Sequence, residues 1–290
     1  MPTEDPLGNP NGNHRPESPL REMTATDTFS SPANSGTGTP MLEFRDVVKS
    51  YGSGATEVRA VTDVNLTFPV GQFCAVMGPS GCGKSTLLHL AGALEAPNAG
   101  RVLVDGADVS TMSAVEQAEL RRRHVGYVFQ QLNLIPALTA IENVMLPLEL
   151  DGVPTKQARA RAADMLRRVG LTQHIDRYPD DFSGGQRQRI AIARAVVGDR
   201  RLLLADEPTG ALDTISSDEI VSLLAELSRD QGTTVIMVTH EPRLASWAHR
   251  TVFMRDGRLV DDSGDITDAD ADSGIAMTGA TDTTTLGDLL

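Results

Sequence analysis

A chain of 290 residues, 40% of them hydrophobic, can bury a substantial core and fits one large domain or two small ones. Its net charge of −13 sits mostly at the ends: residues 1–40 carry five acids against two bases, and residues 261–290 carry eight aspartates and no base. The nearly neutral middle argues against a general nucleic-acid binder, and two cysteines, Cys74 and Cys82, exclude a disulfide scaffold and fit a reducing compartment. No run of about 18 uncharged apolar residues is present to span a membrane, and the first residues do not read as a secretory signal.

Residues 1–40 include 25 Pro, Gly, Ser, Thr or Asn and no Ile or Val. Such a segment buries too little apolar surface to offset its ordering entropy, so it reads as a disordered N-terminal tail. Residues 262–290 read as a disordered, solvated acidic tail, which leaves 41–261 as the folded domain. Within it, strand patterns are expected at Leu42–Val48, Val58–Phe68, Phe73–Met77, Arg101–Val104, Val125–Phe129, Arg201–Ala205, Thr233–Val238 and Thr251–Met254. Helical runs fall between most of them. Thr155–Val169 places Ala158, Ala162, Met165, Leu166 and Val169 on one face and stops at Gly170. Ser216–Asp230 opens with a Ser216/Glu219 capping box and lines up Ile220, Leu223, Leu224 and Leu227. Alternating β and α patterns predict an α/β domain on a mostly parallel sheet. No strand pattern appears from Gln131 to about Phe182, so a helical subdomain, at about residues 131–185, is expected as an insert.

Gly78-Pro79-Ser80-Gly81-Cys82-Gly83-Lys84-Ser85, followed by Thr86, matches the phosphate-loop pattern G-x-x-x-x-G-K-[ST] between an apolar strand and a helical run. The glycines let backbone N–H groups converge on phosphate oxygens, and the helix N-terminus adds partial positive charge. Lys84 is placed to reach the β- and γ-phosphates of ATP, and the Ser85 hydroxyl to ligate magnesium. Cys82 reads as a tolerated small residue in the loop, not as a redox switch.

The apolar run Leu202–Ala205 ends in two carboxylates. Asp206 fits the strand-end acid that holds magnesium, and Glu207 the base that activates a water in line with the γ-phosphate. Ser183-Gly184-Gly185-Gln186 precedes a helical run at Ile190–Val197. Ser183 suits an N-cap and the glycines bare the backbone, which makes a second cradle for phosphate. One domain with one nucleotide needs only one cradle, so the second requires a reason.

These residues, in this order, resemble the ATP-binding subunits of ABC transporters over about Met41–Asp261. The resemblance implies a P-loop NTPase core with an N-terminal antiparallel β portion and an inserted helical subdomain. Ser183–Gln186 looks like the family signature, with Phe182 where leucine is usual. The resemblance also implies that each ATP lies between the phosphate loop of one subunit and the signature of a second, so the chain is expected to work as a dimer. Tyr51 resembles the aromatic that stacks on adenine, and Gln130 the glutamine that contacts magnesium and water; Gln131 is its neighbour and leaves the register open by one. Asp213 resembles the aspartate that communicates across the dimer, and His240 the histidine that holds the γ-phosphate. His89, His124, His174 and His249 receive no role.

The stretches Phe129–Pro136, Leu138–Val144 and Asp206–Asp213 are similar to the macrolide-export and lipoprotein-release branch. That likeness implies an integral membrane permease as partner, placing the chain in the cytoplasm against the inner face of the membrane. It also implies that apolar residues of Leu132–Leu150 receive the permease, although most of them also suit a subdomain core. Ala248-His249-Arg250 departs from the family, where Asp commonly precedes the Arg. A soluble ABC ATPase of DNA repair or translation is the alternative. Those usually carry two ATPase units or long insertions, which this sequence lacks, and the Arg121–Arg123 run reads as a solvated helix end.

Overall fold

The protein is described from a computed structural model, whose described residues are 38–264. Of the expected disordered tails at residues 1–40 and 262–290, residues 1–37 and 265–290 lie outside the described residues, while Asp262 ends the last strand.

The chain opens with strands β1 (Leu42–Tyr51) and β2 (Val58–Phe68), which pair antiparallel. In β2, buried Val64, Leu66 and Phe68 alternate with exposed Asp63, Asn65 and Thr67, the period-two pattern of a sheet covered on one face. Strand β3 (Phe73–Met77) and helix α1 (Lys84–Ala91) follow. Strands β4 (Ala99–Val104) and β5 (Ala107–Asp108) then complete a four-stranded antiparallel sheet in the order β2-β1-β4-β5.

The second sheet has six strands. Helix α2 (Ala114–Arg123) leads to β6 (Val125–Val128). Helices α3 (Ala140–Leu150), α4 (Thr155–Arg168) and α5 (Gly184–Val196) come next. Strand β7 (Leu202–Asp206), helix α6 (Thr214–Gln231), strand β8 (Thr234–Val238), the short helix α7 (Pro242–Ala245) and strands β9 (Arg250–Arg255) and β10 (Arg258–Asp262) finish the fold. The strand order is β10-β9-β3-β8-β7-β6, parallel except for the β9–β10 hairpin. Strands β3, β7 and β8 are buried at every residue, as continuous apolar runs in a doubly covered parallel sheet should be.

Strand β3 divides two cores. Cys74 and Val76 face a cluster with Phe44, Phe68, Leu87 and Ile236, beneath the antiparallel sheet and α1. Phe73, Ala75 and Met77 face the other cluster, with Ile141, Leu166, Ile190 and Leu224 from α3 to α6. Alternate residues of one strand therefore serve opposite faces. His249, given no role from sequence, pins β3: its Nδ1 accepts from Phe73 N–H at 3.1 Å.

Several local expectations need correcting. The N-cap of α6 is Asp213, which accepts from Ser216 N–H at 3.0 Å and from the Ser216 hydroxyl at 2.7 Å, so no Ser216/Glu219 box forms. Glu219 instead pairs with Arg189 at 2.8 Å. The N-cap expected at Ser183 is borne out: helix α5 begins at Gly184, and Ser183 and Gln186 make a reciprocal capping box. Strands β5 and β10 carry too few apolar residues to read as strands in sequence. Arg121–Arg123 ends α2 as expected and Arg123 is exposed, but the run is also tied down: Arg121 donates to the Ala93 carbonyl at 2.5 Å, and Arg122 and Arg123 both bond Asp151, the C-cap of α3.

Candidate nucleotide site

Strands β3, β6, β7 and β8 run parallel, so the residues leaving their carboxyl ends gather along one edge of the sheet, the usual ligand edge of an α/β fold. Residues 78–83 leave β3 and enter α1 at Lys84. The loop is packed from below: a Cβ on Gly78 would stand 2.1 Å from the Met254 carbonyl oxygen, and one on Gly83 2.0 Å from that of Ala60. Gly81 faces open space. Lys84 is buried, and its Nζ spans the loop to the carbonyls of Gly78 at 2.7 Å and Pro79 at 2.9 Å. The Cys82 thiol is buried beneath the loop and pushed up by that burial, which opposes reactivity.

Ser85, in the first turn of α1, donates to Asp206 Oδ1 at 3.0 Å. Asp206 is buried at the end of β7, and desolvation raises its carboxyl above the usual range despite that hydrogen bond. A hydroxyl and a carboxylate so placed are hard oxygen donors that suit Mg²⁺. Among the described residues no cluster of three or more His, Cys, Asp or Glu could hold a metal by itself. Phosphate oxygens and water would complete such a coordination sphere.

Glu207 follows with φ of 44°, in the left-handed region. Its N–H is held by the Val238 carbonyl at 3.1 Å. Its side chain lies between two other strand ends: Gln130 Nε2 donates to Oε2 at 3.2 Å, and His240 Nδ1 stands 3.4 Å from Oε1. Of the two adjacent glutamines it is Gln130 whose side chain reaches this carboxylate. Loop residues beyond Gln130 are fixed by fully buried Asn143, whose amide bonds Ile135 N–H and the carbonyls of Ile135, Leu138 and Thr139.

A family model described as ABC transporter matches residues 61–210, more than half of the chain. This chain belongs to the ABC transporter family. The uncharacterized ABC transporter ATP-binding protein YvrO of Bacillus subtilis (strain 168) is 48% identical over 230 residues, 79% of this chain and 100% of its own length. The macrolide export ATP-binding/permease protein MacB 1/2 of Paracoccus denitrificans (strain Pd 1222) is 46% identical over 226 residues. That match takes 78% of this chain but 34% of the relative, so the chain spans about a third of that protein. Among solved structures, a dimeric post-hydrolysis state of the ATP-binding cassette MJ0796 bound to ADP and Pi shares 38% identity at a TM-score of 0.73, covering 78% of this chain and 99% of that one. The fold is that of the family's α/β P-loop ATPases, and the chain is an ATP-binding, ATP-hydrolysing transporter subunit. These matches lend no support to a role in DNA repair or translation.

The turn at 183–186, expected as the family signature, shares no hydrogen bond with the phosphate loop among the described residues. Ser183 N–H donates to Gln186 Oε1 at 3.0 Å and Gln186 N–H to Ser183 Oγ at 3.3 Å, with both side chains exposed. Gly184 and Gly185 lie against Leu212 and Ser216, beside the cap Asp213. Hydrogen bonds from Ser216 hold the Asp213 carboxyl below the usual range. Tyr51 ends β1, and its hydroxyl donates to Glu95 Oε2 at 2.7 Å.

Sequence reasoning missed a second feature of this ABC subunit. Between β6 and the helices lies a cleft of about 360 Å³ with Leu94, Tyr127, Phe129 and Pro147 on its walls. Arg121, Arg194 and Arg200 also line it, and their hydrogen bonds go to backbone carbonyls. Burial pushes Arg200 down to about 10, its Nε has no partner, and the buried Tyr127 hydroxyl has none either. Arginine scattered at positions 121, 194 and 200 gives no local sequence signal; only the fold brings the three together.

Proposed function

We propose that two copies of this chain grip two ATP molecules head to tail and couple their hydrolysis to a separate membrane permease, in export or in force transmission to a partner beyond the membrane. The observation that carries this reading is the separation of the two cradles. Among the described residues no hydrogen bond joins the turn at 183–186 to the loop at 78–86, and the exposed Ser183 cap faces away from its own chain's core. The capping box takes the Gln186 N–H, and a helix N-terminus exposed in this way fits phosphate supplied by another subunit. The dimeric state of the MJ0796 cassette supports the pairing of two such chains.

In each composite site the N–H groups of Gly78 to Gly83 and the Lys84 ammonium bind the phosphates, with Thr86 beside them, and Tyr51 stacks on adenine. Ser85, Asp206 and the free carbonyl oxygen of Gln130 hold Mg²⁺, which when bound neutralises charge on the β- and γ-phosphates. Glu207 orients and deprotonates the attacking water, Gln130 keeps that carboxylate in place, and His240 donates to the γ-phosphate. Ser183, Gly184, Gly185 and Gln186 cap the γ-phosphate of the opposite subunit's ATP, and Asp213, tied to the same turn, communicates across the interface.

The arginine-lined cleft takes the permease, which brings the chain to the inner face of the membrane. Among the described residues these three guanidiniums bond backbone carbonyls and make no salt bridge, which calls for acidic residues on the docking segment. Of the apolar residues in Leu132–Leu150, Ile141, Val144, Met145 and Leu148 are subdomain core and unavailable for docking.

The test is sedimentation with ATP. Glu207→Gln should accumulate as an ATP-bound dimer. Adding Ser183→Arg should leave ATP binding intact and return the protein to monomer. A double variant that dimerises as readily as Glu207→Gln alone would exclude the composite site.

A further inference from the structure

Tyr51 is 40% exposed, so burial does not fix its ring's orientation. A network of polar contacts does. Its hydroxyl bonds Glu95 Oε2 at 2.7 Å and interacts with Thr86 of α1. The same carboxylate oxygen takes Lys49 Nζ at 3.1 Å, and the other oxygen meets His89 Nδ1, also on α1, at 3.2 Å. Lys49 is itself held by the Ala96 carbonyl at 2.9 Å, and its ammonium lies 5.2 Å from the Tyr51 ring centroid. Lys49 and Tyr51 are two apart on β1 and share a face, so the cation backs one side of the ring. A base can then stack only on the other side.

We propose that Glu95 is a positioning residue for the nucleobase: it clamps the Tyr51 ring to the helix that begins at Lys84, fixing the offset between the base platform and the phosphate loop. This rests on the reading of Tyr51 as the adenine platform. The clamp works by pre-organisation. An exposed tyrosine would have to give up rotamer freedom when the base arrives, and Glu95 removes that freedom beforehand. Because the carboxylate is partly solvated, the effect on affinity is moderate, about three- to tenfold.

Four variants test it by calorimetric titration with ATP and with inorganic tripolyphosphate, which has no base. Glu95→Ala should raise the dissociation constant for ATP about three- to tenfold while leaving tripolyphosphate binding and the maximal hydrolysis rate unchanged. Glu95→Gln, which still accepts from the Tyr51 hydroxyl, should recover most of the loss. Tyr51→Phe keeps the ring and loses the tether, so it should weaken ATP binding as Glu95→Ala does. Tyr51→Ala should weaken it too, and adding Glu95→Ala to that background should change nothing further. The proposal is overturned if Glu95→Ala binds ATP like the parent, if tripolyphosphate binding falls in step with ATP, or if the Glu95→Ala effect persists in the Tyr51→Ala background. Should Tyr51→Ala itself bind ATP normally, it is the platform reading that fails, and the clamp with it.

Discussion

The glycines of the phosphate loop separate into two kinds, and alanine substitutions should tell them apart. Gly81 has φ of +79° with nothing within 4 Å of the position a Cβ would take. Gly81→Ala therefore carries only the left-handed backbone penalty, about 1 kcal/mol. In a domain of this size that lowers the melting temperature by about 2–4 °C. Gly83 has φ of +104°, and its Cβ would lie 2.0 Å from the Ala60 carbonyl oxygen. Ala60 lies in β2 at a register shift, between Arg59 and Val61, which pair with Ser50 and Lys49 of β1, so its oxygen has little room to swing away. Backbone strain and overpacking then combine to at least about 3 kcal/mol, or about 6–12 °C. The assay is thermal unfolding without nucleotide, followed by ATP titration of whatever remains folded. Gly81→Ala should stay folded yet bind ATP poorly, since its methyl stands where phosphate oxygens approach the backbone. Gly83→Ala should fail first as a fold. Equal melting temperatures for the two variants would refute this division of labour within the loop.

Two further outcomes are expected. Glu207→Gln should bind ATP normally but hydrolyse it about 10²–10⁴-fold more slowly, the usual loss for a missing general base, as measured by phosphate release; parental turnover would remove Glu207 from that role. Asp151 ties the end of α2 to the end of α3: burial raises its carboxyl, but the hydrogen bonds from Arg123 and Arg122 outweigh this and hold it below the usual range. A carboxyl depressed on folding contributes stability above its unfolded pKa and loses it as pH falls through the folded one. Asp151→Asn should thus cost about 1 kcal/mol at neutral pH, a gap that narrows in urea melts as pH falls below the usual carboxylate range and would be absent at every pH if the two arginines contributed nothing.

What could be read from the sequence follows from where the information is local. The phosphate loop, the paired carboxylates and the signature turn each occupy consecutive residues, and the strands bearing them are continuous apolar runs. Helix starts were harder. Asp213 caps α6 although Ser216 and Glu219 offer an equally good pattern in sequence, because Ser216 spends its hydroxyl on Asp213 and Glu219 faces Arg189. Lys49, Glu95 and His89 meet only because β1 is laid beside the end of α1, and no spacing rule links them. The same holds for the three arginines of the cleft, which come from α2, α5 and the turn before β7.

The proposed mechanism asks two adjacent carboxylates to do different work on one nucleotide, and the backbone resolves the conflict. Successive residues of an extended strand point to opposite faces, so a strand continued through Asp206 and Glu207 could not aim both side chains at the same edge of the sheet. Strand β7 ends at Asp206, whose side chain meets Ser85 of α1. At Glu207 the chain enters the left-handed region, a conformation unfavourable for glutamate by about 1–2 kcal/mol, and the Val238 carbonyl holds it there. That turn sends the second carboxylate sideways, between Gln130 from the end of β6 and His240 beyond the end of β8. Strain kept at a residue with this chemistry, and restrained by the neighbouring strand, is more consistent with selection for the carboxylate's position than for stability. One strand end thereby aims one acid at Ser85 and the next between Gln130 and His240, as the proposed metal-holding and water-activating roles require.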